Sequence, residues 1–115
     1  MTEDDDLRRL RNEYLADVRE TVELIRQHGH GLATRGSFKQ SFPVLLFLAH
    51  QLKGSGGSLG FPRITELALQ MSRELNLFLD DEQTPRPTPQ QLSEALLTVA
   101  QELENEVEGQ QTAAG

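Results

Sequence analysis

Apolar residues recur at steps of three and four along most of this chain, and that periodicity restricts it to packed helices. Leu7, Leu10, Tyr14, Val18, Val22 and Ile25 form one such stripe, with Arg8, Arg9, Arg11, Glu13, Asp17, Arg19 and Glu20 filling the face between. The stripe predicts a helix over about 5–27, begun by Asp4 to Asp6, whose negative charge the helix macrodipole favours at that end. Gly29 and Gly31 predict its end, and 29–37 a connection, with His28-Gly29-His30 at the junction. Two histidines there lack an acidic or cysteine partner and are expected to be ordinary loop residues rather than metal ligands.

The stretch from Ser41 to Leu59 is the most apolar. Pro43 belongs in a first helical turn, so Ser41 is the expected N-cap and Phe42 the first helical residue; a start near Ser37 would put Pro43 inside the helix. Pro62 suits the first turn of a third helix with the stripe Ile64, Leu67, Ala68, Met71, Leu75 and Phe78. Asp80 to Pro89 holds Pro85, Pro87 and Pro89 and reads as a connection. Thr88-Pro89-Gln90-Gln91 then matches a capping box, opening a fourth helix that carries Leu92, Leu96, Val99, Leu103 and Val107. No alternating strand pattern appears. The expected fold is all-α, an antiparallel up-down-up-down four-helix bundle over about 5–108 of a single domain, with 109–115 as a flexible tail.

The chain has 115 residues, 11 Lys+Arg and 18 Asp+Glu, for a net charge of −7. Such a balance opposes nucleic-acid binding and docking on an anionic membrane face. There is no secretory h-region and no apolar run long enough to span a bilayer, so a cytoplasmic location is expected. With no cysteine, disulfides, thiolate metal sites and cysteine nucleophiles are excluded.

One residue of the second helix stands out. On a helical wheel Leu45, Leu48, Leu52 and Leu59 lie within roughly 40° of the side opposite His50, so the imidazole points away from the core. Sharing its face are Pro43, Leu46, Phe47, Lys53, Gly54 and Gly57. Lys53 is one turn on and can reach a group attached to the ring. Gly54 and Gly57 strip side chains from the surface beside it, although glycine within a helix costs about 0.5–1 kcal/mol relative to alanine. Pro43, Leu46 and Phe47 offer an apolar docking patch. An exposed neutral imidazole is a competent nucleophile at neutral pH, and a nearby ammonium offsets phosphoryl charge. No general base, metal clamp or oxyanion hole accompanies it, so the residues suit carriage of a phosphoryl group whose transfer a partner catalyses. The glycine run fails the Walker pattern, because Lys53 precedes the glycines.

His50-Gln51-Leu52-Lys53-Gly54-Ser55-Gly56-Gly57-Ser58-Leu59-Gly60 resembles the signature of histidine-containing phosphotransfer (HPt) domains, the four-helix carriers of two-component phosphorelays. The resemblance extends from about Leu10 to Val107. It implies His50 as the phosphorylated residue, Lys53 as the phosphate-side cation, Gly54 as the gap admitting a receiver domain, and Gly60 as the turn into the third helix. The implied partners are a response-regulator receiver or a hybrid histidine kinase. No resident cofactor is expected, any Mg2+ belonging to the receiver, and a monomer is expected, although the sequence itself leaves the oligomeric state open. Gly56 departs from the family's usual second serine. Ser72 stands near the third-helix position where the family often has a glutamine steadying the histidine, with Gln70 and Arg73 as alternatives. The competing expectation is a helical interaction module that binds a receiver or kinase without being phosphorylated.

Overall fold

The computed structural model describes residues 3–82 and 84–114, the side chains of 113 and 114 excepted. Four helices follow in order: α1 (Glu3–Ala33), α2 (Phe38–Leu59), α3 (Pro62–Leu79) and α4 (Pro89–Ala114). Each packs on its neighbour in sequence, and α1 closes the ring against α4. Paired contacts fix the antiparallel sense. Tyr14 meets Ser55 and His28 meets Ser41 across α1 and α2, while Arg19 meets Glu108 and Arg26 meets Glu104 across α1 and α4. The core is the expected set of stripes, with Val18, Val22, Ile25, Leu45, Leu52, Ile64, Leu67, Met71, Leu75, Leu96, Val99 and Leu103 all buried. The bundle fold and the third and fourth helix starts agree with the sequence pattern. At the latter, Thr88 Oγ1 accepts from the Gln91 backbone N–H at 3.1 Å, and Gln91 Oε1 accepts from the Thr88 N–H at 2.9 Å.

Several expected boundaries are corrected. α1 does not stop at Gly29 but runs to Ala33, and His28 and His30 are helical rather than loop residues. The glycines there serve helix packing: a Cβ on Gly29 would lie 3.2 Å from Leu97 Cδ2, and one on Gly31 would strike Ser41 Oγ at 2.1 Å. α2 begins at Phe38, with Ser37 at the N-cap and Pro43 inside the helix. Phe38 is drawn in by stacking on Phe42 at 5.4 Å and by contact with Phe78 at 5.1 Å. The one backbone bond that Pro43 forgoes is that to the carbonyl of Lys39, and both residues face solvent. Ser41 is therefore no cap; it is buried, its Oγ 3.3 Å from His28 Nδ1.

The ends of α1 and α4 differ from expectation together. Leu7 and Leu10 are 57% and 50% exposed, and Leu15 joins the core instead. At about 3.6 residues per turn, the 31-residue α1 is longer than the 22-residue α2 by about two and a half turns, so its start projects past the turn joining α2 to α3. Residues 109–114, expected as a tail, continue α4, and Gly115 lies outside the described residues. The long α1 gives those turns a partner, with Arg19 Nη2 donating to Gln111 Oε1 and Val107 fully buried.

The α1–α4 seam is polar as well as apolar. The Arg26 guanidinium bonds Glu104 and holds that carboxyl below the ordinary carboxylate range. The folded state thus binds the proton less tightly than the unfolded one, so this contribution is present above the ordinary value and lost as pH falls through the folded value. Thermal melts from about pH 6 down to about pH 3 are expected to show a steeper stability loss for the wild type than for Glu104→Gln. Parallel curves would contradict the pairing.

Candidate functional site

α2 is the only one of the four helices that presents no Asp or Glu, although the chain carries 18. Its inward face buries Leu45, Leu48, Ala49 and Leu52, and its outward face carries His50 and Lys53, both exposed. Helical spacing of three residues sets the ammonium one turn along from the imidazole on the same side. Among the described residues neither side chain makes a hydrogen bond or ion pair, so both are available to an incoming group. Gly54 and Gly57 are exposed on that face; a Cβ on Gly54 would have nothing within 4 Å, and one on Gly57 only Thr65 Oγ1 at 4.0 Å. Internal packing therefore does not require glycine at either position.

Of the apolar patch, Pro43 is exposed and Phe47 is 59% exposed, the most exposed large hydrophobic among the described residues. Leu46 is half-buried and packs on the core, so it belongs to the patch only at its edge. Ser72 and Gln70 are both half-buried on α3, flanking the buried Met71, and Arg73 is exposed. None of the three hydrogen-bonds the imidazole, and the structure does not bring a steadying group from α3 onto His50. Among the described residues no group of three or more His, Asp or Glu side chains converges as a metal ion would require.

The glycine-rich end of α2 is held from two directions. Toward α3, Gly56 is buried, and its Cβ would approach Thr65 Oγ1 to 2.8 Å and Thr65 N to 3.2 Å. The departure from serine at this position is thus a close contact of helices. Gly60 ends α2 with φ 79°, and the Phe61 N–H returns to Gly56 O at 2.8 Å. Toward α1, Tyr14 Oη lies 2.9 Å from Ser55 Oγ, and the Tyr14 ring stacks on Phe61 at 5.4 Å. Arg11 in turn lies over the Phe61 ring at 4.7 Å. Burial pushes the Tyr14 phenol above its ordinary value, opposed by the Ser55 hydrogen bond. Residue spacing alone brings neither Tyr14 nor Arg11 to the site and gives Ser55 no partner there. The available signal was the chain's single tyrosine within an apolar stripe, since a buried phenol needs a polar partner.

The structure is thus a four-helix bundle whose second helix presents an exposed imidazole and lysine on one face. The chain belongs to the Hpt domain family, whose sequence model matches residues 9–113. Hpt domains are phosphotransfer modules of two-component systems, carriers rather than enzymes, and they act with receiver domains and histidine kinases. Comparison with curated proteins and with solved structures gave no significant match. No helix of the described residues is long and apolar enough to cross a membrane.

The two kinds of glycine predict opposite stability effects. Gly54→Ala is expected to stabilise by about 0.5–1 kcal/mol, through helix propensity alone. Gly56→Ala is expected to destabilise by about 1–2 kcal/mol, because Thr65 must move. Urea denaturation measures both, and equal signs would contradict the packing argument.

Proposed function

We propose that this Hpt domain accepts a phosphoryl group on His50 and exchanges it with the aspartate of a receiver domain, from a response regulator or a hybrid histidine kinase. The observation that carries the reading is the outward face of α2, where an unpartnered His50 and Lys53 adjoin backbone left open at Gly54. In the forward step a ring nitrogen of His50 bearing a lone pair attacks phosphorus of the receiver's aspartyl phosphate. The N–P bond forms as the P–O bond to the carboxylate breaks, and the ring proton stays on the other nitrogen or passes to water. Lys53 offsets the charge on the phosphoryl oxygens, and the lack of carboxylates on α2 removes repulsion toward them. Gly54 and Gly57 admit the receiver's backbone, and Pro43, Phe47 and the edge of Leu46 form its apolar footing.

Every element of this site lies on one helix of one chain, so a monomer suffices. The carrier needs no cofactor of its own, any Mg2+ belonging to the receiver. The reading puts the domain in the cytoplasm, where ATP supplies the phosphoryl groups of histidine kinases.

The test is a transfer profile against a panel of phosphorylated receivers. Wild-type protein is expected to take up acid-labile, base-stable phosphate from at least one receiver, and His50→Gln to take up none. Undiminished labelling of His50→Gln would refute the assignment, and receiver binding by His50→Ala without any labelling of the wild type would favour a pure interaction module. Gly54→Gln is expected to slow transfer by at least about tenfold, corresponding to 1.4 kcal/mol in the barrier, with its circular dichroism unchanged. A transfer rate equal to the wild type's would sink the close-approach argument.

A further inference from the structure

The segment that follows His50 is a poor helix by composition. Gly54, Gly56, Gly57 and Gly60 fall within seven residues, and each glycine in a helix interior raises the entropic cost of ordering it. The segment is nonetheless helical to Leu59. Helix propensity does not account for this, and neither do carboxylate–lysine pairs, because α2 has no acidic residue.

What acts on the segment from outside is α1. Tyr14 is 8% exposed and makes two separate contacts, one with Ser55 in the last turns of α2 and one with Phe61 just beyond its end. Its hydroxyl bonds Ser55 Oγ at 2.9 Å, and Ser55 Oγ lies 3.5 Å from the Leu52 carbonyl. With Ser55 donating to Leu52, the Tyr14 O–H donates to Ser55, and the chain ends on the carbonyl immediately before Lys53. The Tyr14 ring meanwhile stacks on Phe61, just past the Gly60 turn, with Arg11 over the same ring. One α1 side chain thus grips the glycine run near both ends. Gly56 against Thr65 closes the α3 side.

We infer that Tyr14 is a positioning residue for phosphotransfer: through Ser55 and Phe61 it keeps the glycine-rich end of α2 helical and so fixes Lys53 relative to His50. The inference rests on His50 as the phosphoryl-bearing residue. The division of labour follows from the geometry. The outward face needs glycine for a partner to approach, and a glycine helix loses order unless its inward face is tied to something rigid. Tyr14 supplies that tie without placing any atom on the outward face.

Two measurements on Tyr14→Phe, Ser55→Ala and the double variant test it. Phenylalanine keeps the ring stack and removes only the hydroxyl. By hydrogen exchange, amides of 53–59 are expected to exchange at least about fivefold faster in each single variant, beyond any change at Val99 and Ala100 in α4. The double variant is expected to be no worse than either single, as for two members of one bond. In transfer from a phosphorylated receiver, the maximal rate is expected to fall about five- to tenfold while the half-saturating receiver concentration stays within about twofold. A merely structural role would leave the maximal rate of the folded protein unchanged. Exchange that is unaltered, or accelerated uniformly through the bundle, overturns the tie itself. Localised exchange with an unchanged maximal rate overturns the positioning role. A wild type that takes no phosphate from any receiver overturns the assignment of His50, and localised exchange in that same protein then leaves the tie as a feature of the fold alone.

Discussion

The burial of one face of α2 between α1 and α3 is the constraint on which the rest of the site depends. Leu45, Leu48, Ala49 and Leu52 are almost wholly removed from water, and their transfer contributes on the order of 25 cal/mol for each Å² of apolar surface buried. That fixes the rotation of the helix about its own axis. Once the rotation is set, His50 and Lys53 can only point outward, and no loop or hinge is needed to present them. The chemical group sits on the stiffest kind of support the chain can make.

The same helix has to be open where a partner approaches and closed where it meets the bundle. Glycine serves both ends in different ways. At Gly54 and Gly57 the missing side chain leaves solvent-facing backbone bare, and at Gly56 it lets α3 come within contact distance of the α2 backbone. The cost is a segment with little helical preference of its own, offset by the αL turn at Gly60, the return bond from Phe61 to Gly56 and the side chains of α1 and α3. Charge follows a similar division. The Arg26–Glu104 and Arg63–Glu102 pairs join α1 and α3 to α4, away from the face bearing the imidazole, while α2 keeps only cationic and neutral groups.

Much of this was legible in residue spacing. The core stripes, the Thr88–Gln91 box, the Pro62 start and the outward rotation of His50 all depend on the 3.6-residue period and on local capping chemistry, which a single chain segment carries by itself. What spacing did not reveal depends on a second helix. Gly29 and Gly31 look like helix stops until Leu97 and Ser41 are seen to need their space. Pro43 looks like a first-turn residue until Phe38 is found stacked on Phe42 and Phe78. Leu7 and Leu10 match the stripe, yet both stay about half exposed because the start of α1 outruns α2. The tie from Tyr14 to Ser55 spans 41 residues, and no local pattern signals it beyond the presence of a lone tyrosine in a core stripe. Membership of the Hpt family, matched over 9–113, agrees with the motif at His50.

Whether one exposed imidazole, His50, carries the phosphoryl group is decided by site-resolved NMR of the histidine rings. The chain has three histidines, so each ring can be followed separately during incubation with a phosphorylated receiver. A phosphorus–nitrogen coupling and shifted ring resonances are expected on His50 alone, with His28 and His30 unchanged. Phosphorylation of His28 or His30 with His50 unmodified would contradict that assignment.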